Sequence, residues 1–370
     1  MELEKLDLRE IQLPLVQPFE TSFGRTYHRR ILIVRAFDKS GAVGYGECTA
    51  PEDPFFNHET IDTAWYITTK FISRLLSDAK VDRAEDVNAA LERIRGHRMA
   101  KAGVETAIWD LEARLAGLPL WKHLGGTQTL INSGVSIGLQ ASVEALQEKV
   151  AKEVEAGYQR IKLKIKPGQD VELTAAIRAK YPEIMLSVDA NSAYRLDDID
   201  VMRELDKYNL LMIEQPLQPG DLVDHAKLQR EIKTAVCLDE SITTLTDTQQ
   251  ALELGSGKII NIKLGRVGGH TEARAIQDYC ADRNIPVWCG GMLESGIGRA
   301  HNIAMSTHRG FTLPGDVSAS KRYWEEDIIT PPVEVSGKGT ITVPEGVGFG
   351  YEVNEPRIES LVVRREEVQL

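Results

Sequence analysis

Residues 160–165 have the sequence Arg-Ile-Lys-Leu-Lys-Ile, a strand-like pattern with lysines at alternate positions. Side chains in a β-strand alternate between its two faces, so Lys162 and Lys164 share one face and the apolar residues share the other. If the apolar face packs on helices, both ammonium groups point into the interior, where lysine is rarely buried without a partner. The pattern therefore predicts acidic residues opposite the two lysines.

Three carboxylates and a further lysine follow at a nearly constant interval. Later apolar runs end in Asp189, Glu214, Asp239 and Lys263, at steps of 25, 25, 25 and 24 residues counted from Lys164. One strand with its return helix takes about 30 residues in a (β/α) barrel, where the C-terminal strand ends form the active site. We therefore predict that these five side chains form a ring; the alternative is that each charge simply begins a solvated loop.

Such a ring requires elements that place strand ends side by side. From about residue 132 to 313, eight strand patterns alternate with seven helical stretches, which predicts an α/β fold with a (β/α)7β barrel of the TIM type. The first strand is expected at 133–138 and the eighth at 311–313. A doubly wound sheet is the alternative, but the ring of charges favours a closed barrel.

The parts of the chain outside the barrel are expected to form one α+β capping domain. Residues 1 to about 50 predict an antiparallel sheet, and residues 59–116 predict helices. Strands or edge segments at 341–343 and 357–363 are expected to return to this domain. The predicted division is a capping domain over 1–125 with lid loops at 19–24 and 51–56, a barrel over 126–320 and a returning tail over 321–370.

Composition excludes several classes of function. The net charge is −11 with no basic stripe, which argues against a nucleic-acid partner. No apolar run approaches the ~20 residues that span a membrane, and no signal peptide is recognisable at the start. Four scattered cysteines indicate neither a zinc site nor a disulfide framework. We expect a soluble protein in a reducing, cytoplasmic setting.

The three acids of the ring predict a metal site. Carboxylates that converge on one point repel one another unless a cation lies among them. Asp189, Glu214 and Asp239 are hard oxygen ligands, which select Mg²⁺, with Mn²⁺ as a substitute. A substrate carboxylate bound there can accept the second negative charge that develops when its α-proton leaves. The expected partner is therefore a small-molecule carboxylate substrate.

Lys164 and Lys263 are the candidates for the base that removes this proton. They are expected on opposite sides of the barrel, with pKa values lowered by the cation and by shielding from water so that they can be neutral near pH 7. Lys162 is expected to bind the substrate carboxylate and to depress the pKa of Lys164. Asn191 and Glu240 are expected to support the site from behind.

With these residues placed, the sequence resembles the enolase superfamily, in its muconate-lactonizing subgroup, over essentially the whole chain. The lysine motif at 162–164, the three acids and Lys263 stand where that subgroup has them. Residues 289–299, 265–269 and 21–24 resemble the branch of o-succinylbenzoate synthases and N-succinylamino acid racemases. Other branches fit less well. Residues 288–291 lack the histidine of the mandelate-racemase pattern, and Asp316 is a single acid where dipeptide epimerases carry two.

This resemblance implies two activities at one site. In the synthase, Lys164 removes the proton, Lys263 stays protonated and stabilises the enediolate, and loss of hydroxide gives o-succinylbenzoate, a menaquinone precursor. In the racemase, the two lysines exchange a proton on the two faces of an N-acylamino acid. We associate Arg266 with the racemase activity; the alternative is an ordinary loop ion pair. The sequence does not rank the two activities.

The resemblance also implies a homo-oligomer, because the family forms symmetric assemblies. From another class of function, a non-catalytic metabolite-binding barrel is the alternative, since a barrel fold does not define an activity. The residues expected to contact the substrate are Phe23, Phe55, Val135, Arg266, Gly291, Met292 and Leu293.

Overall fold

The computed structural model describes residues 1–22 and 24–370, so Phe23 lies outside the described residues. The strands are β1 (Leu3–Thr21), β2 (Gly24–Asp38), β3 (Val43–Cys48), β4 (Leu130–Asn132), β5 (Gly134–Ile137), β6 (Arg160–Lys164), β7 (Met185–Asp189), β8 (Met212–Glu214), β9 (Ala235–Leu238), β10 (Ile259–Ile262), β11 (Val287–Cys289), β12 (Ile329–Thr330), β13 (Thr340–Thr342), β14 (Glu352–Val353) and β15 (Val362–Gln369).

The helices lie between these strands, and most follow a barrel strand. They are α1 (Ile61–Ile67), α2 (Ser73–Asp78), α3 (Asp86–Ala90), α4 (Arg98–Leu115), α5 (Leu120–His123), α6 (Val143–Glu155), α7 (Val171–Lys180), α8 (Ile199–Leu205), α9 (Leu222–Glu231), α10 (Leu245–Leu254), α11 (Leu264–Val267), α12 (His270–Ala281), α13 (Gly296–Ser306) and α14 (Glu355–Leu361). A π-helical turn joins α1 to α2. Within residues 1–22 and 24–370, no helix is both long and apolar enough to cross a membrane.

The capping domain is built on four antiparallel strands in the order β15-β1-β2-β3. Helix α4 packs very closely on β3 because Gly44 and Gly46 have no side chain. A Cβ atom at either glycine would lie 2.2 Å from a carbonyl oxygen of α4. Beyond the sheet, β1 and β2 continue as a hairpin in which Thr21 pairs with Gly24. The predicted lid at 19–24 is therefore the tip of this hairpin.

The barrel contains seven parallel strands in the order β5-β6-β7-β8-β9-β10-β11. The eighth strand, predicted at 311–313, is present only as single bridges: Phe311 pairs with β11, and Gly315 pairs with the residue before β5. The backbone N–H of Gly134 donates to Gly315 O at 2.7 Å, which closes the ring. Pro314 has no N–H and cannot extend a ladder. The barrel fold is thus confirmed, with an irregular eighth position.

The tail of the chain completes the capping sheet. Strand β15 pairs antiparallel with β1 from Lys5 opposite Gln369 onward. The strand predicted at 341–343 is instead β13, which pairs with β4 in a separate two-stranded sheet and not with the capping sheet. The predicted strand at 357–363 is wrong for most of its length, because α14 occupies it. That helix forms because Asn354 Oδ1 accepts the N–H of Arg357 at 3.0 Å and a proline lies in the first turn. The domain limits at 125 and 320 stay predictions.

Two buried glutamates join the capping domain to the barrel. Glu105 on α4 accepts the backbone N–H of His270 at 2.8 Å, at the start of α12. Glu47 on β3 accepts the N–H groups of Ser295 at 3.1 Å and Gly298 at 2.9 Å, at the start of α13. Carboxylates are stabilised at helix N-termini by the helix dipole and the free N–H groups. The capping domain therefore anchors the segments that follow β10 and β11.

The Glu105 contact predicts a pH-dependent stability. Burial raises the pKa of Glu105 from 4.5 to about 7, against the hydrogen bonds from Thr271 and His270. Between these values the folded protein keeps a proton that the unfolded chain has lost, so this group's contribution to the free energy of unfolding falls as pH rises. In urea titrations, we expect the free energy of unfolding of the wild type, relative to Glu105→Gln, to fall by about 3 kcal/mol from about pH 4.5 to about pH 8.

The control for this prediction is Thr106→Ser, a change on the same helix that alters no ionisable group. Its difference from the wild type should stay constant over the same pH range. Parallel pH profiles for the wild type and Glu105→Gln would contradict the prediction, because they would mean that Glu105 titrates alike in the folded and unfolded states.

Candidate active site

The five predicted charges lie at neighbouring C-terminal strand ends. Lys164 ends β6, Asp189 ends β7 and Glu214 ends β8, and these residues are in register across adjacent strands. Asp239 and Lys263 directly follow β9 and β10. Among the eight strand positions around the barrel, β6 and β10 are four apart, so the lysines at their ends lie on opposite sides. The structure thus brings together the residues that the constant spacing singles out.

The two lysines of β6 have the acidic partners that their inward direction predicts. Lys162 Nζ lies 2.8 Å from Glu214 Oε2 and 3.3 Å from Asp189 Oδ2. Lys164 Nζ donates to Asp189 Oδ2 at 2.6 Å. A third acid, Asp316, lies 2.7 Å from Lys162 Nζ and also pairs with Arg160. In the sequence, Asp316 is a single acid just after the predicted eighth strand, and that position is the signal for a place in this network.

On the other side of the ring, Lys263 and Arg266 share one carboxylate. Lys263 Nζ lies 2.7 Å from Asp239 Oδ2, and the Arg266 guanidinium contacts Asp239 Oδ1. Arg266 also donates from Nε to Ile242 O at 2.6 Å and is 3 % exposed. The ion pair of Arg266 with Asp239 is therefore buried, and whether it affects Lys263 stays a prediction. Arg266 reaches Lys263 through Asp239 rather than through the cavity wall.

The carboxylates of the ring influence one another electrostatically. Burial raises the pKa of Glu214 to about 8, and the charge of Asp189 adds to this against the effect of Lys162. Burial also acts to raise the pKa of Asp189, but Lys164 and Lys162 outweigh it, so that pKa lies below its ordinary value. Glu214 is therefore the acid of the ring whose charged form an added positive charge would stabilise most.

Lys263 differs from expectation in the direction of its pKa shift. The sequence predicts lowered values for Lys164 and Lys263. Burial does act to lower the pKa of Lys263, but the combined charges of Asp239, Glu240 and Glu214 outweigh it, so that the pKa is raised. The pKa of Lys162 is raised well above its ordinary value, since neighbouring carboxylates, chiefly Asp316, outweigh burial in the same way. Direct contact with carboxylates stabilises the charged form of both ammonium groups.

Asn191 and Glu240 connect the two sides of the ring from behind. Lys164 Nζ donates to Asn191 Oδ1 at 2.6 Å, and Asn191 Nδ2 donates to Glu240 Oε1 at 3.0 Å. Burial raises the pKa of Glu240 to about 7, and the charge of Asp239 acts in the same direction. The positions of both residues therefore suit the supporting role that the sequence predicts for them.

A small cavity of about 50 Å³ opens at the ring. Its wall consists of the two lysines of the ring, Lys162 and residues from other segments, namely Lys164, Lys263, Lys162, Phe19, Ser136, Gly291, Leu293, Glu294, Asp316 and Tyr323. Of the residues predicted to contact the substrate, Gly291 and Leu293 are in this wall. Phe19 belongs to the predicted lid at 19–24, whereas Ser136, Glu294 and Tyr323 were not predicted to contact the substrate.

Val135 does not reach the cavity, and Ser136 takes its place. In β5, Val135 pairs with Ile161 and Ser136 pairs with Lys162 across the sheet. Paired residues on parallel strands point to the same face, so Ser136 points inward with Lys162 while Val135 is fully buried in the apolar core. The strand alternation that was applied to β6 would have identified Ser136.

The aromatic predictions in the lids also need correction. Phe55 is 64 % exposed and lies outside the cavity wall, whereas the ring of its neighbour Phe56 lies 4.8 Å from Lys263 Nζ. Such a contact between an ammonium group and an aromatic face is attractive. Met292 packs against the apolar core instead of lining the cavity. The predicted contact of Phe23 lies outside the described residues.

The carboxylates of the ring are candidate ligands of a divalent cation. Across the part of the chain that the structure describes, no group of three or more His, Cys, Asp or Glu side chains is arranged as a metal site. Asp189, Glu214 and Asp239 are instead directed to ammonium and guanidinium groups. Their donor chemistry nevertheless fits Mg²⁺, because all three are buried carboxylates at the ends of consecutive strands. The charge of Asp189 adds to the effect of burial in raising the pKa of Glu214, and a cation would relieve this repulsion.

The fold and the ring together define a capped (β/α)-barrel enzyme, and comparisons with known proteins place it more narrowly. Residues 6–125 match the family model "Mandelate racemase / muconate lactonizing enzyme, N-terminal domain", and residues 145–357 match "Enolase C-terminal domain-like". The chain therefore belongs to the enolase superfamily, as the sequence motifs predict.

Individual relatives cover nearly the whole chain. An o-succinylbenzoate synthase of Geobacillus stearothermophilus is 48 % identical over 96 % of this chain and 95 % of its own length. An N-succinylamino acid racemase of Thermus thermophilus is 45 % identical over 98 % of both chains. The crystal structure of an enolase superfamily member from Listeria innocua is 42 % identical and superposes with a TM-score of 0.96 over 100 % of this chain and 99 % of its own.

Proposed function

We propose that this chain is a Mg²⁺-dependent o-succinylbenzoate synthase, which removes a proton α to a carboxylate and then eliminates water. The observation that carries the proposal is that Lys164 and Lys263 line one cavity from opposite sides of a ring of three carboxylates. A base on one side of the α-carbon and a positive charge on the other side are what this chemistry needs. The name of the Geobacillus stearothermophilus relative supports the same activity.

In the proposed reaction, Lys164 is the base. Asp189 and Asn191 hold its Nζ at the cavity, each at 2.6 Å. In its neutral form it takes the α-proton and returns it to the departing hydroxyl group, so that water leaves and the six-membered ring becomes aromatic. Lys263 stays protonated, in agreement with its raised pKa, and its charge stabilises the enediolate from the opposite side.

The proposed cofactor is Mg²⁺, with Mn²⁺ as a substitute, held by Asp189, Glu214 and Asp239. When bound, it supplies Lewis-acid stabilisation of the negative charge that develops on the substrate carboxylate. Lys162 contacts two of these three acids. It therefore keeps their side chains at the ring and adds a positive charge close to the position of the substrate carboxylate.

A second candidate is racemisation of N-succinylamino acids at the same site. The observation that favours it is the near symmetry of the two lysines, each of which faces the cavity and contacts one acid of the ring. A proton taken by one lysine and returned by the other inverts the α-carbon. Arg266 lies behind Asp239, and its charge acts to lower the pKa of Lys263, which would help Lys263 to serve as a base.

The test is proton NMR in D₂O with Mg²⁺, with the cyclohexadiene precursor of o-succinylbenzoate in one set of samples and an N-succinylamino acid in the other. Rapid aromatisation with slow α-proton exchange on the amino acid means a synthase. Fast exchange with little aromatisation means that racemisation is the main activity. Neither reaction with either compound would refute both proposals.

A further inference from the structure

A second, larger cleft adjoins the active-site cavity. It has a volume of about 360 Å³ and shares Phe19 and Tyr323 with the wall of the cavity. The rings of these two residues meet edge to face with their centres 6.4 Å apart, so they stand between the two spaces. We call this second space the distal cleft; its polar wall includes Gln140, Lys149 and Arg322.

The distal cleft carries an unbalanced positive charge. Arg322 Nε lies 3.1 Å from Glu153 Oε1, and Lys149 Nζ lies 3.8 Å from the same oxygen. Two cations thus share one carboxylate. Burial lowers the pKa of Lys149, and the nearby charge of Arg322 lowers it further. A positive cleft on a chain of net charge −11 is suited to an anionic group.

The remaining charges at the cleft do not cancel this excess. Arg25 pairs with Glu20 within the same hairpin, so these two side chains balance each other. Lys149 Nζ also donates to the uncharged amide oxygen of Gln17 at 3.2 Å. The side chain of Lys149 remains 29 % exposed. It can therefore turn toward a ligand without leaving a buried carboxylate unpaired, because Arg322 still holds Glu153.

Arg322 connects the positive charge directly to the catalytic cavity. Its Nη2 donates to the backbone oxygen of Ser136 at 2.7 Å, and its Nη1 donates to the hydroxyl oxygen of Tyr323 at 3.0 Å. Ser136 and Tyr323 both line the cavity. The cationic group thus lies one residue behind the wall, on the side of the cavity that Phe19 covers.

We propose that the distal cleft binds a carboxylate at the far end of the substrate's acyl chain, with Lys149 and Arg322 as the residues that select a dicarboxylate over a neutral acyl group. This inference rests on the proposed function, since it assumes that the reacting carboxylate of the substrate lies between Lys164 and Lys263. It assigns the second carboxylate of a succinyl group to a definite place on the other side of the Phe19–Tyr323 ring pair.

The experiment compares two ligands of the same amino acid, one N-succinyl and one N-succinamoyl, which differ only in a terminal carboxylate or amide. Calorimetric Kd values and α-proton exchange in D₂O are measured for both ligands with Mg²⁺ present. We expect the wild type to prefer the succinyl compound. Lys149→Met should reduce this preference about three- to tenfold, and Lys149→Glu should reduce it by about tenfold or more.

The matched control is Lys152→Met, which removes the same charge from the same helix at a position outside the distal cleft. It should keep the preference of the wild type. An equal loss for both ligands in the Lys149 variants, or an equal loss of preference in the Lys152 variant, would overturn the inference. A wild type that binds the succinyl compound preferentially but exchanges no proton would refute the proposed function alone, since the preference is read from binding.

Discussion

Lys164→Ala is expected to lower by about a thousandfold the rate of dehydration, and the rate of α-proton removal from the enantiomer of an N-acylamino acid whose proton faces Lys164. The residue is the only base proposed on its side of the ring, and general-base catalysis contributes about 10²- to 10⁴-fold. Its Nζ has fixed partners in Asp189 and Asn191, so water is poorly placed to replace it. The measurement is the initial rate of aromatisation and of exchange in D₂O.

Lys164→Arg separates the base from its charge. Arginine keeps the positive charge but cannot lose its proton in a protein, so this variant should be as inactive as Lys164→Ala. Lys263→Ala should differ: it should stop exchange on one enantiomer of an N-acylamino acid, whereas Lys164→Ala stops it on the other, because the two lysines face opposite sides. Appreciable aromatisation by Lys164→Arg would show that Lys164 acts only through its charge.

The second large effect concerns the acids of the ring. Glu214→Gln is expected to lower both activities by about a thousandfold, and removal of divalent cations with a chelator should do the same to the wild type. Glu214 lies between Asp189 and Asp239 in the order of the strands, so its loss removes the central donor. Added Mg²⁺ or Mn²⁺ should restore the chelated wild type but not the variant.

Glu231→Gln on the exposed end of α9 is the control for this prediction, since it changes the same chemical group far from the ring. It should keep full activity. The thermal unfolding midpoint of both variants should be measured alongside activity, because Glu214 also has a structural role. It accepts hydrogen bonds from Lys162 and from Asn261 Nδ2, at 2.8 and 2.7 Å. Full activity of the wild type in excess chelator would refute the proposed cofactor.

The ring could be predicted from the sequence because a barrel repeats one structural unit. Each strand–helix unit has nearly the same length, so residues separated by about 25 positions recur at equivalent strand ends. Lys164, Asp189 and Glu214 occupy such ends in register. Their charge made them visible, since acids and lysines at the ends of apolar runs are uncommon inside proteins.

The walls of the cavity were harder to predict because loops have no such period. Phe55 and Phe56 are adjacent and chemically identical, and only the path of the loop decides that Phe56 contacts Lys263. Val135 is a different case, because strand alternation applied across from Lys162 does identify Ser136. The role of Arg322 could not be predicted, because Glu153 and Ser136 are distant from it in sequence and become its neighbours only after folding.

The eighth strand and the tail show how local chemistry overrides a global pattern. Pro314 directly follows the segment where the repeat predicts an eighth strand, and it cannot extend a ladder. A few backbone hydrogen bonds close the barrel instead. In the tail, the apolar residues around Ile358 suggest a strand. Asn354 and Pro356 nevertheless begin a helix, and the strand starts only at Val362.

The pairing of β15 with β1 has a consequence for synthesis on the ribosome. The capping sheet needs a strand that is translated about 300 residues after β3. Until then β1 has an unpaired edge, which is a site where strands of other chains can add. The barrel strands are made in this interval and can pair in order as they emerge. The nascent capping domain therefore keeps one open sheet edge until β15 has been synthesised and pairs with β1.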